Sequence, residues 1–251
     1  MSDTSGVFLR IFRREPVTKV LGPGKRAVIW VQGCKRDCPG CIAPEGRDFS
    51  GGKLFSVNEL SDWVSSISDI CGLTISGGEP MEQSAELCIL IDRIREIFRS
   101  QTVSHQKKQF EVTDSEPFAS EDYSDENGFD FVCFTGFKYE ELLASGSPSQ
   151  KELLNKIDLL IDGTYIEEQH GNLLWRGSSN QRLIPLSEKF RKLVSGLTPE
   201  KDISAGLEVA IENDGKILIT GVPHSTRFRE NFEAGLKKHG ITLQNIEEEQ
   251  Q

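Results

Sequence analysis

The sequence predicts an α/β fold, built on a parallel sheet or an open barrel, because short apolar runs alternate with stretches of helical spacing. Four of those runs end in loops that carry glycine or cysteine. In such folds ligands lie at the carboxyl ends of the strands, so the four loops are expected to converge on one site. The 251 residues suffice for one domain and a small appendage.

The first strand expected is 28–31, a mostly β-branched run that delivers the chain to Gln32, Gly33 and Cys34. Gly22-Pro23-Gly24 turns the chain ahead of it. Residues 34–53 are rich in Gly, Pro and charge, so the cysteines fall on a loop. Ser56 suits the N-cap of a helix over 57–68. A second strand, 73–76, ends at Gly77-Gly78-Glu79-Pro80. A helix over 81–99 follows, with Leu87, Leu90, Ile91, Ile94, Ile97 and Phe98 close to helical spacing. Residues 131–134 make a third strand ending at Thr135-Gly136, with a helix over 139–144 behind it. Residues 157–161 make a fourth, ending at Asp162-Gly163. Two short apolar pieces, 173–176 and 183–184, flank Gly177-Ser178-Ser179-Asn180.

Further on the pattern changes. Residues 207–211 and 216–220 are joined by Glu212-Asn213-Asp214-Gly215 and read as a β-hairpin. A short helix is expected over 228–239, and 247–251 should fray. The chain therefore divides into a core domain, 1–195, and a C-terminal extension, 196–251. Within the core, residues 101–130 stand apart. From 111 to 130 there are eight acidic residues and no Lys or Arg, the composition of a solvated, mobile insert.

The net charge of −10 sets most of the surface against polyanions, so no nucleic-acid partner is expected. Arg10, Arg13, Arg14, Lys19, Lys25 and Arg26 gather near one end. They read as solvated surface or as a face for an acidic partner or small anion. No apolar run is long enough to cross a bilayer, and the polar first six residues lack a signal-peptide core. A cytoplasmic protein without a membrane partner is expected. Six cysteines are too few for a disulfide scaffold.

Three of them, Cys34, Cys38 and Cys41, crowd into one short segment and can close on a single metal centre. Structural zinc wants four ligands, and the next candidates are as far off as Cys71 and His105. A 4Fe–4S cubane usually takes four thiolates; with three, one iron stays open, as a catalytic centre needs. Zinc completed from a distance is the alternative. Cys71, Cys88 and Cys133 lie in apolar surroundings and read as core.

Cys-x3-Cys-x2-Cys after a first strand, followed by Ser76-Gly77-Gly78-Glu79-Pro80 after a second, resembles the radical S-adenosylmethionine superfamily. The Cys38-Pro39-Gly40-Cys41 ending is similar to that of the activating enzymes of anaerobic ribonucleotide reductase. So are Phe134-Thr135-Gly136-Phe137 with Tyr139-Glu140-Glu141-Leu142, Ile161-Asp162-Gly163 through Gln169, and Trp175 through Arg182. The likeness covers about residues 17–184.

The resemblance implies a partial, open parallel β/α barrel of the radical S-adenosylmethionine type, to which the hairpin and helix are a C-terminal addition. It implies an enzyme with a 4Fe–4S cluster on Cys34, Cys38 and Cys41, and with S-adenosylmethionine as cofactor. Reductive cleavage of that cofactor would yield a 5′-deoxyadenosyl radical. Gly77 and Gly78 would let backbone approach its methionine moiety. Glu79 or a neighbouring carbonyl would receive the ammonium. Gly40, Cys41 and Ile42 would lie against the adenine, and Thr135 and Asn180 near the ribose or carboxylate. Taken without the cysteines, Gly77-Gly78 is also an ordinary strand-to-helix turn, Thr135 an N-cap and Asn180 a loop residue. The implied partner is a glycyl-radical enzyme, with flavodoxin or ferredoxin as electron donor. Three features depart from the family pattern: Gly40 where many members carry an aromatic residue, Glu79 where the reductase activases often carry Asp, and the insert and tail. They keep two further readings open, a radical enzyme acting on a small molecule or peptide, and a non-catalytic iron–sulfur or zinc module.

Overall fold

The computed structural model describes residues 6–104, 128–211, 215 and 217–242. The acidic stretch 105–127, most of the hairpin turn and the final residues lie outside them. Strands β1 (Phe8–Thr18), β2 (Arg26–Val31), β3 (Lys53–Ser56), β4 (Gly72–Gly77), β5 (Asp130–Phe134) and β6 (Leu159–Asp162) are followed by β7 (His170–Leu173), β8 (Arg176–Ser178) and β9 (Arg182–Pro185). Seven of them form one sheet in the order β3-β1-β2-β4-β5-β6-β9, while β7 and β8 pair separately. The four central strands are parallel, with Trp30 opposite Ser76, Ile75 opposite Cys133 and Phe134 opposite Ile161. The outer strands β1, β3 and β9 run antiparallel to their neighbours. The fold is thus mixed α/β on a largely parallel sheet.

The four expected strands are found because both of their faces are covered, which turns each into an apolar run. One face buries Ile29, Leu73, Ile75, Phe131 and Leu160 under helices α1 (Val57–Ser65), α2 (Ser84–Ser104) and α4 (Pro148–Leu154). The other buries Val132, Leu159 and Ile161 against Leu174, Trp175 and Phe190. Helix α1 starts where expected, in a capping box of Ser56 and Glu59, but stops at Ser65. The helix expected from 81 begins instead as a 3-10 turn, Pro80–Gln83, whose first N–H, on Met81, is capped by Glu79. Helices α3 (Tyr139–Ser145) and α5 (Glu188–Ser195) complete the core.

Strand β1 was not expected, because its basic residues mask its alternation. Leu9 and Ile11 point into the core, and the arginines point elsewhere. Those arginines are engaged within the chain. Arg10 donates to the Gly51 carbonyl at 3.1 Å, Arg13 to Thr220 Oγ1 at 2.9 Å, and Arg14 stacks on Phe55 and Trp63. Arg26 is fully buried at the base of the sheet. It donates to Thr74 Oγ1 (2.7 Å), the Pro23 carbonyl (2.8 Å) and Asp130 Oδ1 (2.7 Å). Lys189 meets the other Asp130 oxygen at 3.0 Å. One residue before Asp130, Phe129 stacks on Phe98 of α2 with ring centroids 4.2 Å apart.

Beyond the core, strands β10 (Leu207–Ile211) and β11 (Ile217–Gly221) pair antiparallel as the hairpin pattern predicts. Glu208 Oε2 accepts from Thr18 Oγ1 at 2.6 Å, which ties the hairpin to β1. Helix α6 (Phe228–Lys238) follows, and its Arg229 pairs with Glu45 at 2.7 Å. Among the described residues no helix is long and apolar enough to cross a membrane.

Candidate active site at the cysteine loop

Because β2, β4, β5 and β6 are parallel, their carboxyl ends share one edge, and the four loops flagged from sequence meet there. The cysteine loop is rooted by backbone. Gly33 N–H donates to the Gly46 carbonyl at 2.8 Å, and Cys34 N–H to that of Arg47 at 2.9 Å. Gln32 Nε2 spans the same turn, to the carbonyls of Glu45 (3.0 Å) and Asp48 (2.6 Å). Segment 34–47 therefore leaves and returns at one place, and carries three half-buried thiols between.

The end of β4 is laced to this root. Gly78 N–H donates to the Val31 carbonyl at 2.7 Å and Glu79 N–H to that of Gly33 at 2.9 Å. Gly77 has φ +111°, and a Cβ there would lie 2.4 Å from the Val31 backbone. A Cβ on Gly78 would lie 2.4 Å from the Gly33 carbonyl oxygen. The two glycines are thus required by strand-to-loop contact inside the chain, whatever they also offer to a ligand.

Glu79 is 2% exposed. Its Oε1 accepts from Thr135 Oγ1 at 2.7 Å and from Met81 N–H at 3.1 Å, its Oε2 from Gly136 N–H at 2.9 Å. Burial pushes its carboxyl up, and those three donors together with Arg36 pull it back. Thr135 is accordingly turned inward. It does not cap α3, whose N-cap is Lys138, but accepts from Phe137 N–H at 3.2 Å.

Between the first two thiols, Arg36 reaches inward. Its Nη1 donates to Thr164 Oγ1 at 2.7 Å, its guanidinium lies 4.2 Å from the Phe137 ring centroid, and Nε is 3.7 Å from Glu79 Oε2. The neighbouring Lys35 and Asp37 point outward, to Glu82 and Arg47. Tyr165, after β6, packs against Gly40, and its backbone N–H reaches the Cys38 sulfur. Its hydroxyl meets His170 Nδ1 at 3.0 Å. Asn180 donates to the Thr164 carbonyl at 2.8 Å, and its buried Oδ1 has no partner among the described residues. Ile42 is 63% exposed on the rim.

Sequence reasoning found the cysteines, the glycines, Glu79, Thr135 and Asn180, and the structure brings them to one edge. It missed Arg36, Thr164 and Tyr165. Thr164 and Tyr165 directly follow the flagged Asp162-Gly163 and lie within the stretch from Ile161 to Gln169 that carries the family likeness, the signals that pointed their way.

The donor set fits an iron–sulfur cluster. Burial raises the Cys34 thiol above its usual range, Arg36 N–H lowers it, and Glu79, Cys38 and Cys41 raise it further. Cys38 is raised by burial and by Cys41, against Arg36, Arg47 and Tyr165. Thiolates this close repel one another, and iron relieves that repulsion. Among the described residues no three His, Cys, Asp or Glu side chains surround one point as a single ion requires. Cys88 and Cys133 lie in the core, their thiols pushed up by burial, Cys88 to about 12.

Residues 20–112 and 117–184 match the family model described as "4Fe-4S single cluster domain". The anaerobic ribonucleoside-triphosphate reductase-activating protein of Enterobacteria phage T4 is 30% identical over 172 residues, 67% of this chain and 88% of that protein. Its namesake in Escherichia coli (strain K12) is 27% identical over 66% of this chain and 92% of that one. A putative glycyl-radical enzyme activating enzyme of Haemophilus influenzae is 36% identical over 38% of this chain and 37% of its own length. With three thiols on a loop braced by four strand ends, and a match of this extent, the chain belongs to the 4Fe-4S single-cluster family of anaerobic ribonucleoside-triphosphate reductase-activating proteins.

Proposed function

We propose that the chain is a radical S-adenosylmethionine activase that installs a glycyl radical on a partner enzyme, an anaerobic ribonucleotide reductase. The observation that carries this reading is the placement of three half-buried thiols on a loop braced by four parallel strand ends. Cys34, Cys38 and Cys41 would hold a 4Fe–4S cluster and leave one iron open. A backbone carbonyl of the segment Gly77-Gly78-Glu79 would receive the ammonium of the methionine moiety. The unpaired Oδ1 of Asn180 would accept from a ribose hydroxyl, since a buried acceptor without a partner is costly until a donor arrives. Gly40, Cys41 and Ile42 would lie against the adenine, with Ile42 losing its exposure there. Thr135 acts at one remove, through Glu79. When bound, cluster and cofactor together supply one electron and a 5′-deoxyadenosyl radical. The chain orients them and excludes water.

In this reading the open sheet is a partial β/α barrel, with a core over 1–195 and an extension over 196–251. Its strand ends are left accessible to a polypeptide loop of the partner. The electron donor is a flavodoxin or ferredoxin, and the compartment is the cytoplasm. One observation favours a second reading, a small-molecule or peptide substrate confined by the tail: Arg229 of α6 pairs with Glu45, four residues beyond Cys41.

The test is anaerobic reconstitution with iron and sulfide, reduction, addition of S-adenosylmethionine and assay of 5′-deoxyadenosine. Product that vanishes in Cys38→Ala is the expected result. A reduced cluster without product, even with the reductase present, would refute the activity. A glycyl radical seen by electron paramagnetic resonance on the added reductase separates the activase from the second reading.

A further inference from the structure

We infer that Arg36 and Glu79 form an internal latch that sets the position of the cysteine loop, and that the Glu79 carboxylate serves this latch and not the ammonium of S-adenosylmethionine. The inference deepens the proposed function, resting on its assignment of the loop as the cluster site, and gives Glu79 and Arg36 the role of positioning residues.

The Glu79 carboxylate is already engaged within the chain. A carboxylate offers about four lone-pair sites. Thr135 Oγ1, Met81 N–H and Gly136 N–H fill three, and Arg36 Nε faces the remaining one at 3.7 Å. The group is 2% exposed and its remaining side faces the Arg36 guanidinium, so an incoming ammonium finds no open approach to it. What the carboxylate does offer is an anchor shared by the ends of β4 and β5.

Arg36 is the matching half. Its side chain crosses from the middle of the Cys34–Cys38 segment to three strand ends: Glu79 after β4, Gly136 and Phe137 after β5, and Thr164 after β6. Thr164 Oγ1 passes the contact on, donating to the Gly136 carbonyl at 2.9 Å. Gly136 must lack a side chain for this, since its Cβ would lie 2.5 Å from Arg36 Cδ. Backbone N–H of Arg36 also donates to Cys34 Sγ at 3.4 Å. The other two charges of the segment cannot replace it. Lys35 and Asp37 make their ion pairs with side chains 72% and 86% exposed, where such pairs hold little.

The test reads backbone hydrogen exchange in the full-length apoprotein, by mass spectrometry of peptides covering 33–47, with β2 and β5 peptides as controls. In Arg36→Ala the loop amides should exchange about tenfold faster, the loss expected for one charge-assisted contact, while the strands stay protected. Glu79→Gln should accelerate the same amides, and the double variant should be no faster than the faster single one, because both remove one coupled interaction. Arg36→Lys keeps the charge but loses the stack and the Thr164 bond, and should fall between. It also serves as the test variant if Arg36→Ala exposes the core. Unchanged loop exchange in Arg36→Ala and Arg36→Lys would overturn the latch, as would accelerations that multiply in the double variant. In reconstituted protein, Glu79→Gln that weakens S-adenosylmethionine binding as much in the Arg36→Ala background as alone would return the carboxylate to the ligand. Wild-type protein that takes up no iron would defeat the cluster reading and leave the exchange result standing by itself.

Discussion

Replacing Arg26 by Met should cost the fold about 3–5 kcal/mol, the range for breaking a buried ion pair from one side. The structure allows the figure to be built up. The Arg26 side chain is 0% exposed and that of Asp130 is 4% exposed, so solvent screens neither. Removal strands the Asp130 carboxylate with Lys189 as a neighbouring cation, at 3.0 Å, which holds the loss toward the lower end. Thr74 Oγ1 and the Pro23 carbonyl also lose a donor, at about 1 kcal/mol each. Met fills most of the vacated volume, so little cavity cost is added. Urea unfolding at pH 7 should show a lower midpoint with an unchanged slope. The Arg26→Met/Asp130→Leu pair should recover at least half of the loss, because a buried ion pair exchanged for apolar packing is close to neutral. A single-variant loss under about 1 kcal/mol would mean the network is wetter than its burial says, and would refute the reasoning. Iron content per folded molecule should not change, since Arg26 begins β2 and the cysteines follow its far end.

Gly78→Val should lower iron and sulfide content and stability together, since its Cβ meets the Gly33 carbonyl beside Cys34; a full cluster with only S-adenosylmethionine binding weakened would show that the ligand and not the loop root needs this glycine. Asn180→Leu should raise the S-adenosylmethionine dissociation constant roughly tenfold with iron content unchanged, and unchanged binding by titration would remove Asn180 from the site. Glu140 has its carboxyl drawn from 4.5 down to about 2 by Arg182, so its contribution is present above about pH 4.5 and fades as pH falls toward 2. The melting temperatures of wild type and Glu140→Gln should therefore converge between pH 6 and pH 2.5, with a small initial gap because the pair is exposed; a gap that widens on acidification would contradict the assignment.

Much of the architecture is legible where one short segment carries its whole signal. Strands β2, β4, β5 and β6 are buried on both faces and read as apolar runs, and the Ser56 cap announces α1. Strand β1 is hidden because Arg10, Arg13 and Arg14 find their partners in distant segments, Arg13 as far off as Thr220. At the site, cysteines and glycines advertise themselves by spacing. Arg36 does not, because its meaning lies in Thr164, 128 positions away, and in Glu79. The same limit leaves part of the reason for Gly77 and Gly78 out of sight. Spacing says that no side chain fits there, but only the fold says that Val31 and Gly33 occupy the space.

The stacked rings of Phe98 and Phe129 pin the last turns of α2 to the residue that leads into β5. The contact closes a loop of chain at one point, and closure entropy grows slowly with length, by only about 0.6 kcal/mol per doubling. Changes in chain length between Phe98 and Phe129 should therefore cost little so long as the two rings keep their stack.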